Sequence, residues 1–328
     1  MAALERYDES FYDFRMICGK TMDPAHFSDL CGQWLLADIA CLHFTGRDAR
    51  AFLHAQLTQS VQDLEPGQAR PAAYCTAQGR LLANGMVWAT HEPDALYLMV
   101  ASDLASGLQQ RMQRYVMRAD VRIVLDGTLP IMAARGHEHV PERLHAAPSW
   151  SVQSDDKGWW VSGPDSCPAL PSAWHVSHTA APEEAMPQAD DAAAWRASRL
   201  LAGWPMIRAA TQGMFLPAAL NMDLNGTIHF QKGCYPGQEI IARSHYRGTA
   251  KRRLAVGSGP WPDSGAEPAA GTDLFVPGGS DRPAARLIEA CIWNGRLYAA
   301  AEALVADGPS LWLAPGHAQA PALDLHMA

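Results

Sequence analysis

One stretch constrains this chain more than any other: Lys232-Gly233-Cys234-Tyr235-Pro236-Gly237-Gln238-Glu239, running on through Ile240-Ile241-Ala242-Arg243. Pro236 fixes φ and lacks an N–H that a first helical turn would leave unpaired, so it suits a helix start. Gln238 and Glu239 then fall in the first turn, where a carboxylate complements the positive end of the macrodipole. Ile240, Ile241 and Ser244 make a short inward stripe, Arg243, His245 and Arg247 load the far end with positive charge, and Gly248 suits the residue after the helix. Cys234 is thus placed just ahead of a helix N-terminus, with Lys232 two residues earlier. Dipole, free N–H groups and ammonium all favour a thiolate there. The plainer reading is a small buried hydrophobe packed before a helix. Local physics leaves both open.

The chain has 328 residues, which suggests two or three compact units. With 48% hydrophobic residues and 18% charged ones, its composition is that of a folded protein. A net charge of −8 argues against broad, non-specific nucleic-acid binding. The cysteines, at 18, 31, 41, 75, 167, 234 and 291, are scattered, odd in number and form no C-x-x-C pair. They imply neither a disulfide framework nor a zinc site, and a reducing compartment is expected. Residues 1–20 mix acids with aromatics and do not read as a signal peptide, and no run of eighteen apolar residues marks a membrane span. The expectation is a cytoplasmic monomer.

Along the chain, Trp34–Phe44 reads as a strand, and Asp48 as the cap of a helix bearing Ala49, Phe52, Leu53 and Leu57. A hairpin follows (Ala72–Thr76 and Leu81–Ala89), then a strand at Ala95–Val100. Ser102 or Asp103 caps a helix with Leu104, Leu108, Met112, Tyr115 and Val116 on one face, and Val121–Leu125 closes the unit. Short strands are expected at 131–134, 159–162 and 173–176, then a Pro- and Ala-rich connector, and a helix over 192–202 capped by Asp190 or Asp191. After residue 250, strands at 253–256, 273–276, 285–293, 296–305 and 311–314, with Asn294-Gly295 as a type I′ turn, suggest a small antiparallel barrel.

The central stretch resembles the signature of the YgfZ-type proteins, folate-binding relatives of the aminomethyltransferase of the glycine cleavage system. That signature reads Lys-Gly-Cys-Tyr-x-Gly-Gln-Glu with an Arg four residues later, and every position matches. Phe44-Thr45-Gly46-Arg47-Asp48-Ala49, Gln56-Leu57-Thr58, Tyr74-Cys75, Gly79-Arg80 and Phe215-Leu216-Pro217 with Asn221 extend the likeness over residues 34–125 and 190–328. The resemblance implies an α+β fold: two interlocked ferredoxin-like units, 31–125 and 126–249, form a folate-binding region over 1–249, and a barrel occupies 250–328, all around a central channel. It implies tetrahydrofolate as cofactor and a role in iron–sulfur cluster assembly or repair, in support of cluster-dependent enzymes including tRNA-modifying ones. The implied partners are iron–sulfur client or assembly proteins, with no direct contact to nucleic acid. Cys234 would be the reactive thiolate and a transient iron ligand, with no resident metal. Lys232, Gly233, Tyr235, Gly237, Gln238, Glu239, Arg243 and Arg247 would line the folate site, Lys232 meeting the folate glutamate.

The chain departs from the catalytic aminomethyltransferase where that enzyme needs carboxylates. Ala83 and Asn84 occupy the positions of its Asp-Asp pair, Ala101 that of an Asn, and Leu201 that of a pterin-binding Glu. A folate-dependent transfer of a one-carbon unit to a small amine or a tRNA base is the alternative. It needs another acid/base group, with Asp38, Asp48 and Asp63 as candidates. A third reading, a Cys234 hydrolase, needs a base within hydrogen-bond reach. The basic run Arg243, Arg247, Lys251, Arg252 and Arg253 reads as a solvated face or a docking surface, and His229 and His245 are given no role.

Overall fold

The computed structural model describes residues 31–328 apart from 128, 165–169, 179–191, 248–249, 263–264, 276–281, 305–309 and 313–322. The apolar run expected as one strand from Trp34 to Phe44 is two. Strands β1 (Gly32–Leu35) and β2 (Ile39–Thr45) are parted by a turn at Ala37 and Asp38 and enter different sheets. Asp38 supplies the reason. Its carbonyl accepts from the Ser102 N–H and from Arg208 Nη1, both at 2.9 Å, and its carboxylate accepts from Arg208 Nη2. Aspartate is a poor strand residue, and these partners lie off the strand.

The first sheet adds β3 (Ala69–Cys75), β4 (Leu81–Ala89), β5 (Leu96–Ala101) and β6 (Arg122–Asp126) to β2. Its order is β3-β4-β5-β2-β6, with every neighbour antiparallel. Helix α1 (Ala49–Gln56) joins β2 to β3, and α2 (Ser102–Val116) joins β5 to β6. Leu104, Ala105, Leu108, Met112 and Val116 bury the inner face of α2. Tyr115, expected on that face, is 52% exposed. Neither expected cap works locally. The Asp48 carboxylate accepts from Asp120 N–H at 2.8 Å, and that of Asp103 from Ala209 N–H at 2.9 Å. Both hold tertiary contacts in place of a helix end.

The second sheet takes β1 together with β7 (Ile131–Arg135), β8 (Val152–Ser154), β9 (Gly158–Ser162) and β10 (Ser172–Ser177), in the order β1-β7-β10-β9-β8. The three strands expected in this region are present, and β8 adds a fourth. The third sheet contains β11 (Arg252–Pro260), β12 (Asp273–Leu274), β13 (Ala285–Trp293), β14 (Arg296–Leu304), β15 (Ser310–Trp312) and β16 (Leu323–Met327). Asn294 and Gly295 both take positive φ, 49° and 65°, as a type I′ turn requires. The order β12-β13-β14-β11-β16-β15 is that of an antiparallel half-barrel sheet where a small antiparallel barrel is expected, and β16 lies beyond the strands that the sequence pattern marks. One face of this sheet (Leu254, Val256, Ile288, Tyr298, Ala300) belongs to the main core, and its other face (Ala255, Leu287, Ala299, Ala301) forms a second cluster.

Helix α3 (Ala192–Leu201) packs on β11, β13 and β14 and also touches β1, so it joins the second and third sheets. Its expected caps, Asp190 and Asp191, and the connector before them lie outside the described residues. A buried charge network crosses the same region. Glu289 of β13 accepts from Arg199 Nη1 and Nη2 at 3.0 and 2.5 Å, from Met206 N–H at 2.7 Å, and from Arg208 Nη2 at 3.3 Å. Burial alone would raise the Glu289 carboxyl, but the two guanidiniums overcome that and hold it at about 2. Helix α4 (Gln238–Arg247) packs on the short turn Pro217–Leu220. No described helix is long and apolar enough to cross a membrane.

Candidate functional site

The central motif lies on the loop between residues 57 and 61 and on the β3–β4 turn. Thr58 Oγ1 donates to the Thr227 carbonyl at 2.8 Å, Gln59 Nε2 to that of Gly226 at 2.5 Å, and His229 N–H to that of Thr58 at 3.0 Å. These bonds fix the approach to the motif. Lys232 then turns inward and is only 8% exposed. Its ammonium donates to the carbonyls of His54, Leu57 (2.7 Å) and Gln59 (3.3 Å), at the C-terminal end of α1, and lies 5.1 Å from the centre of the Tyr235 ring. A cation is favourable on those unpaired carbonyls, although burial pushes the ammonium down to about 8. The ammonium donors are thus taken up by backbone carbonyls inside the fold.

Gly237 makes the second anchor. It has φ +82°, and a Cβ there would fall 2.5 Å from the Thr76 carbonyl oxygen and 2.6 Å from Gly79 Cα. Only glycine allows both the left-handed conformation and the close approach of two backbones. This also corrects the helix start: α4 begins at Gln238, after Gly237, and Pro236 stands outside it. Ile241 is buried, while Ile240, expected beside it, is 38% exposed. Gly248 lies outside the described residues.

Tyr235 is buried against the core. Cys234, between the buried Lys232 and Tyr235, is exposed. Cys31 is exposed too, whereas Cys41, Cys75 and Cys291 are buried. Burial raises all three buried thiols, those of Cys75 and Cys291 to about 12. Gln238 Nε2 reaches back to the Lys232 carbonyl at 3.5 Å. Glu239 and Arg243 pair across one helical turn at 3.3 Å on the exposed face, and Arg247 ends the helix. The basic run is partly internal: Arg253 donates to the buried Asp223 carboxylate at 2.5 Å, and Arg252 to the Ala284 carbonyl at 3.3 Å.

The expected acid/base candidates are occupied elsewhere. Asp38 holds Arg208, Asp48 holds a backbone N–H, and Asp63 accepts from Arg70 at 2.8 and 3.0 Å and from Ser60 at 2.8 Å. Hydrogen bonds from Arg70 and Ser60 hold the Asp63 carboxyl well below the usual carboxylate range. The sequence reading missed His54. Its Nε2 lies 3.5 Å from where a Cβ on Gly233 would be, and its Nδ1 accepts from Val61 N–H at 3.4 Å. That bond leaves the proton on Nε2, so His54 presents a donor to the motif and no base. Nothing local in the sequence marks His54 apart from its place in the last turn of α1. Asn84 is also buried. Its Nδ2 donates to the Pro205 carbonyl at 2.9 Å and its Oδ1 accepts from Ile207 N–H at 2.7 Å.

Among the described residues, three antiparallel sheets in this order, with the motif helix seated on the first hairpin, define an aminomethyltransferase-like α+β fold. The structure resembles the glycine cleavage system aminomethyltransferase T from Bartonella henselae with a TM-score of 0.65 and 14% identity, covering 90% of this chain and 85% of that one. At that identity the likeness is one of fold alone. In sequence, the chain is similar to the tRNA-modifying protein YgfZ of Sodalis glossinidius, 28% identical over 275 residues (78% of this chain and 79% of the relative). It is likewise similar to the tRNA-modifying protein YgfZ of Klebsiella pneumoniae, 29% identical over 256 residues (74% and 73%). No family model matches. The similarity to YgfZ proteins thus extends beyond the motif, over about three quarters of the chain.

Proposed function

We propose that this chain is a tetrahydrofolate-binding accessory protein for iron–sulfur cluster assembly or repair, supporting cluster-dependent enzymes, tRNA-modifying ones among them, through Cys234. The observation that carries this reading is the placement of Cys234. It is an exposed thiol on a segment whose neighbours, Lys232 and Tyr235, are buried and whose far end is locked by Gly237. A rigidly presented thiol suits attack on, or ligation by, something arriving from outside. One thiolate is too few ligands for a stable cluster, so any iron contact is shared and transient.

The folate reading rests on the fold and on one face of the first sheet. There Trp88, Tyr97 and His43 stack in a row across β4, β5 and β2, at 5.3 and 4.2 Å between ring centroids, and Trp159 of β9 packs against Tyr97 at 4.6 Å. Trp88 Nε1 and His43 Nε2 are buried there without hydrogen-bond partners. Flat rings and unpaired polar atoms suit a pterin. In this reading the two α+β units are ferredoxin-like halves around a central channel, followed by the barrel-like sheet of residues 250–328, and the protein acts as a cytoplasmic monomer with iron–sulfur client proteins as partners.

One-carbon transfer is the weaker reading. Both polar atoms of Asn84 are engaged, Leu201 is buried among apolar neighbours, and Asp38, Asp48 and Asp63 have partners. None of these positions offers the free carboxylate that such chemistry requires.

Two measurements test the proposal. In native protein, alkylation mapped by mass spectrometry should label Cys234 ahead of Cys41, Cys75 and Cys291, and ahead of Cys31 although both are exposed. Equal labelling of Cys31 and Cys234 would remove the special role of the motif. Titration with tetrahydrofolate, followed by tryptophan fluorescence, should saturate at one site. No saturation up to millimolar folate would end the folate reading while leaving Cys234 in place.

A further inference from the structure

Away from the motif, the turn after β7 brings two imidazoles together. β7 ends at Arg135, Gly136 takes φ +94°, and the chain coils onto a short turn at Glu142–Leu144. There His137 Nδ1 stands 3.1 Å from His145 Nδ1, with the rings nearly perpendicular at 89°. The other nitrogen of His145, Nε2, lies 2.8 Å from the Val140 carbonyl. A carbonyl only accepts, so Nε2 carries the proton and Nδ1 is left with its lone pair. Metal-binding imidazoles are oriented in this way, with one nitrogen tied to a backbone carbonyl and the other free to ligate.

We propose that His137 and His145 form a two-imidazole chelate for a borderline divalent cation such as zinc. Zinc–imidazole bonds run about 2.0–2.1 Å, and two of them at a tetrahedral angle set their nitrogens about 3.3 Å apart. The observed 3.1 Å is close to that span, and chelation needs a swing of the His137 ring that turns both lone pairs onto the cation. His137 is exposed, so its ring is free to make it. Without metal, His137 Nδ1–H donates to His145. On binding, His137 Nδ1 gives up that proton and its Nε2 takes one from solvent. The change is one of tautomer, with no net proton released. Among the described residues no third His, Cys, Asp or Glu completes the set. Water fills the remaining positions, which makes the site open and exchangeable, unlike a closed structural zinc site. The proposal is independent of Cys234 and of folate.

The test uses the full chain, dialysed against zinc alone, with His137→Ala and His145→Ala beside it and near-UV circular dichroism to confirm folding. Native protein should hold one equivalent of zinc more than either variant. With copper(II) as a second probe, electron paramagnetic resonance should show coupling to two nitrogens, lost in both variants. Equal zinc content in native and variant proteins would overturn the proposal and leave the pair as a simple hydrogen bond, as would a two-nitrogen signal that survives His137→Ala. Should His145→Ala disturb the loop it braces, the exposed His137→Ala decides the matter alone.

Discussion

Replacing Gly237 by alanine tests the claim that this glycine seats the motif on the β3–β4 turn. The backbone there has φ +82°, and left-handed geometry costs a residue with a Cβ about 1–2 kcal/mol. The new Cβ would also sit 2.5 Å from the Thr76 oxygen and 2.8 Å from Gly79 N, both backbone atoms of a tight turn, so the hairpin or the helix must shift. Overpacking of this kind adds about 1–3 kcal/mol, which brings the total to about 2–5 kcal/mol. Gly213 provides the control: it has φ +78° and nothing within 4 Å of a Cβ, so Gly213→Ala carries the backbone strain without the clash. Urea unfolding of both variants isolates the contact as their difference. Gly237→Ala should also change the alkylation rate of Cys234, which Gly213→Ala should leave alone. Equal stability losses in the two variants would refute the claim that backbone contact fixes this glycine.

Two further substitutions probe the buried polar groups. Glu289→Gln leaves Arg199 without its carboxylate and Arg208 with that of Asp38 alone, a loss of about 3–5 kcal/mol at neutral pH. Glu289 sits at about 2 in the fold, against an ordinary 4.5, so its contribution is complete above pH 4.5 and is lost as pH falls toward 2. The gap between native and variant stability should close over that window, and a gap constant with pH would contradict the assignment. Asn84→Asp removes the donor from the Pro205 carbonyl and should cost about 1–3 kcal/mol, seen as a fall in Tm. An unchanged Tm would show that the segment 205–207 does not depend on this amide.

Periodic apolar patterns made most of the strands readable, including 131–135, 158–162 and 172–177 in the region hardest to interpret. The Asn294-Gly295 turn was legible because few dipeptides accept two positive φ values in succession. The break at Asp38 was not, because its cause is Arg208, 170 residues further on. The expected caps failed for the same reason, as Asp48 and Asp103 found distant backbone partners. At the motif, the sequence could not tell inward from outward. Lys232, a charged residue expected at the surface, is drawn in by three carbonyls that only the folded loop brings together, and Cys234 is left outside. β16 went unseen because a five-residue strand, held between β11 and β15, carries little pattern of its own.

The division of β1 from β2 has a consequence for how the chain is made. Among the described strands β1 pairs with β7 alone, with Gly32 opposite Arg135 and Leu35 opposite Met132. A ribosome has therefore to deliver about a hundred more residues before the first strand has a partner. Until then Trp34 and Leu36 have no second sheet to cover them. A fragment ending at residue 125 would carry β1 as an unpaired apolar strand and be prone to aggregate. Cutting the chain there gives no self-sufficient half, because β1 is secured only once β7 has followed it.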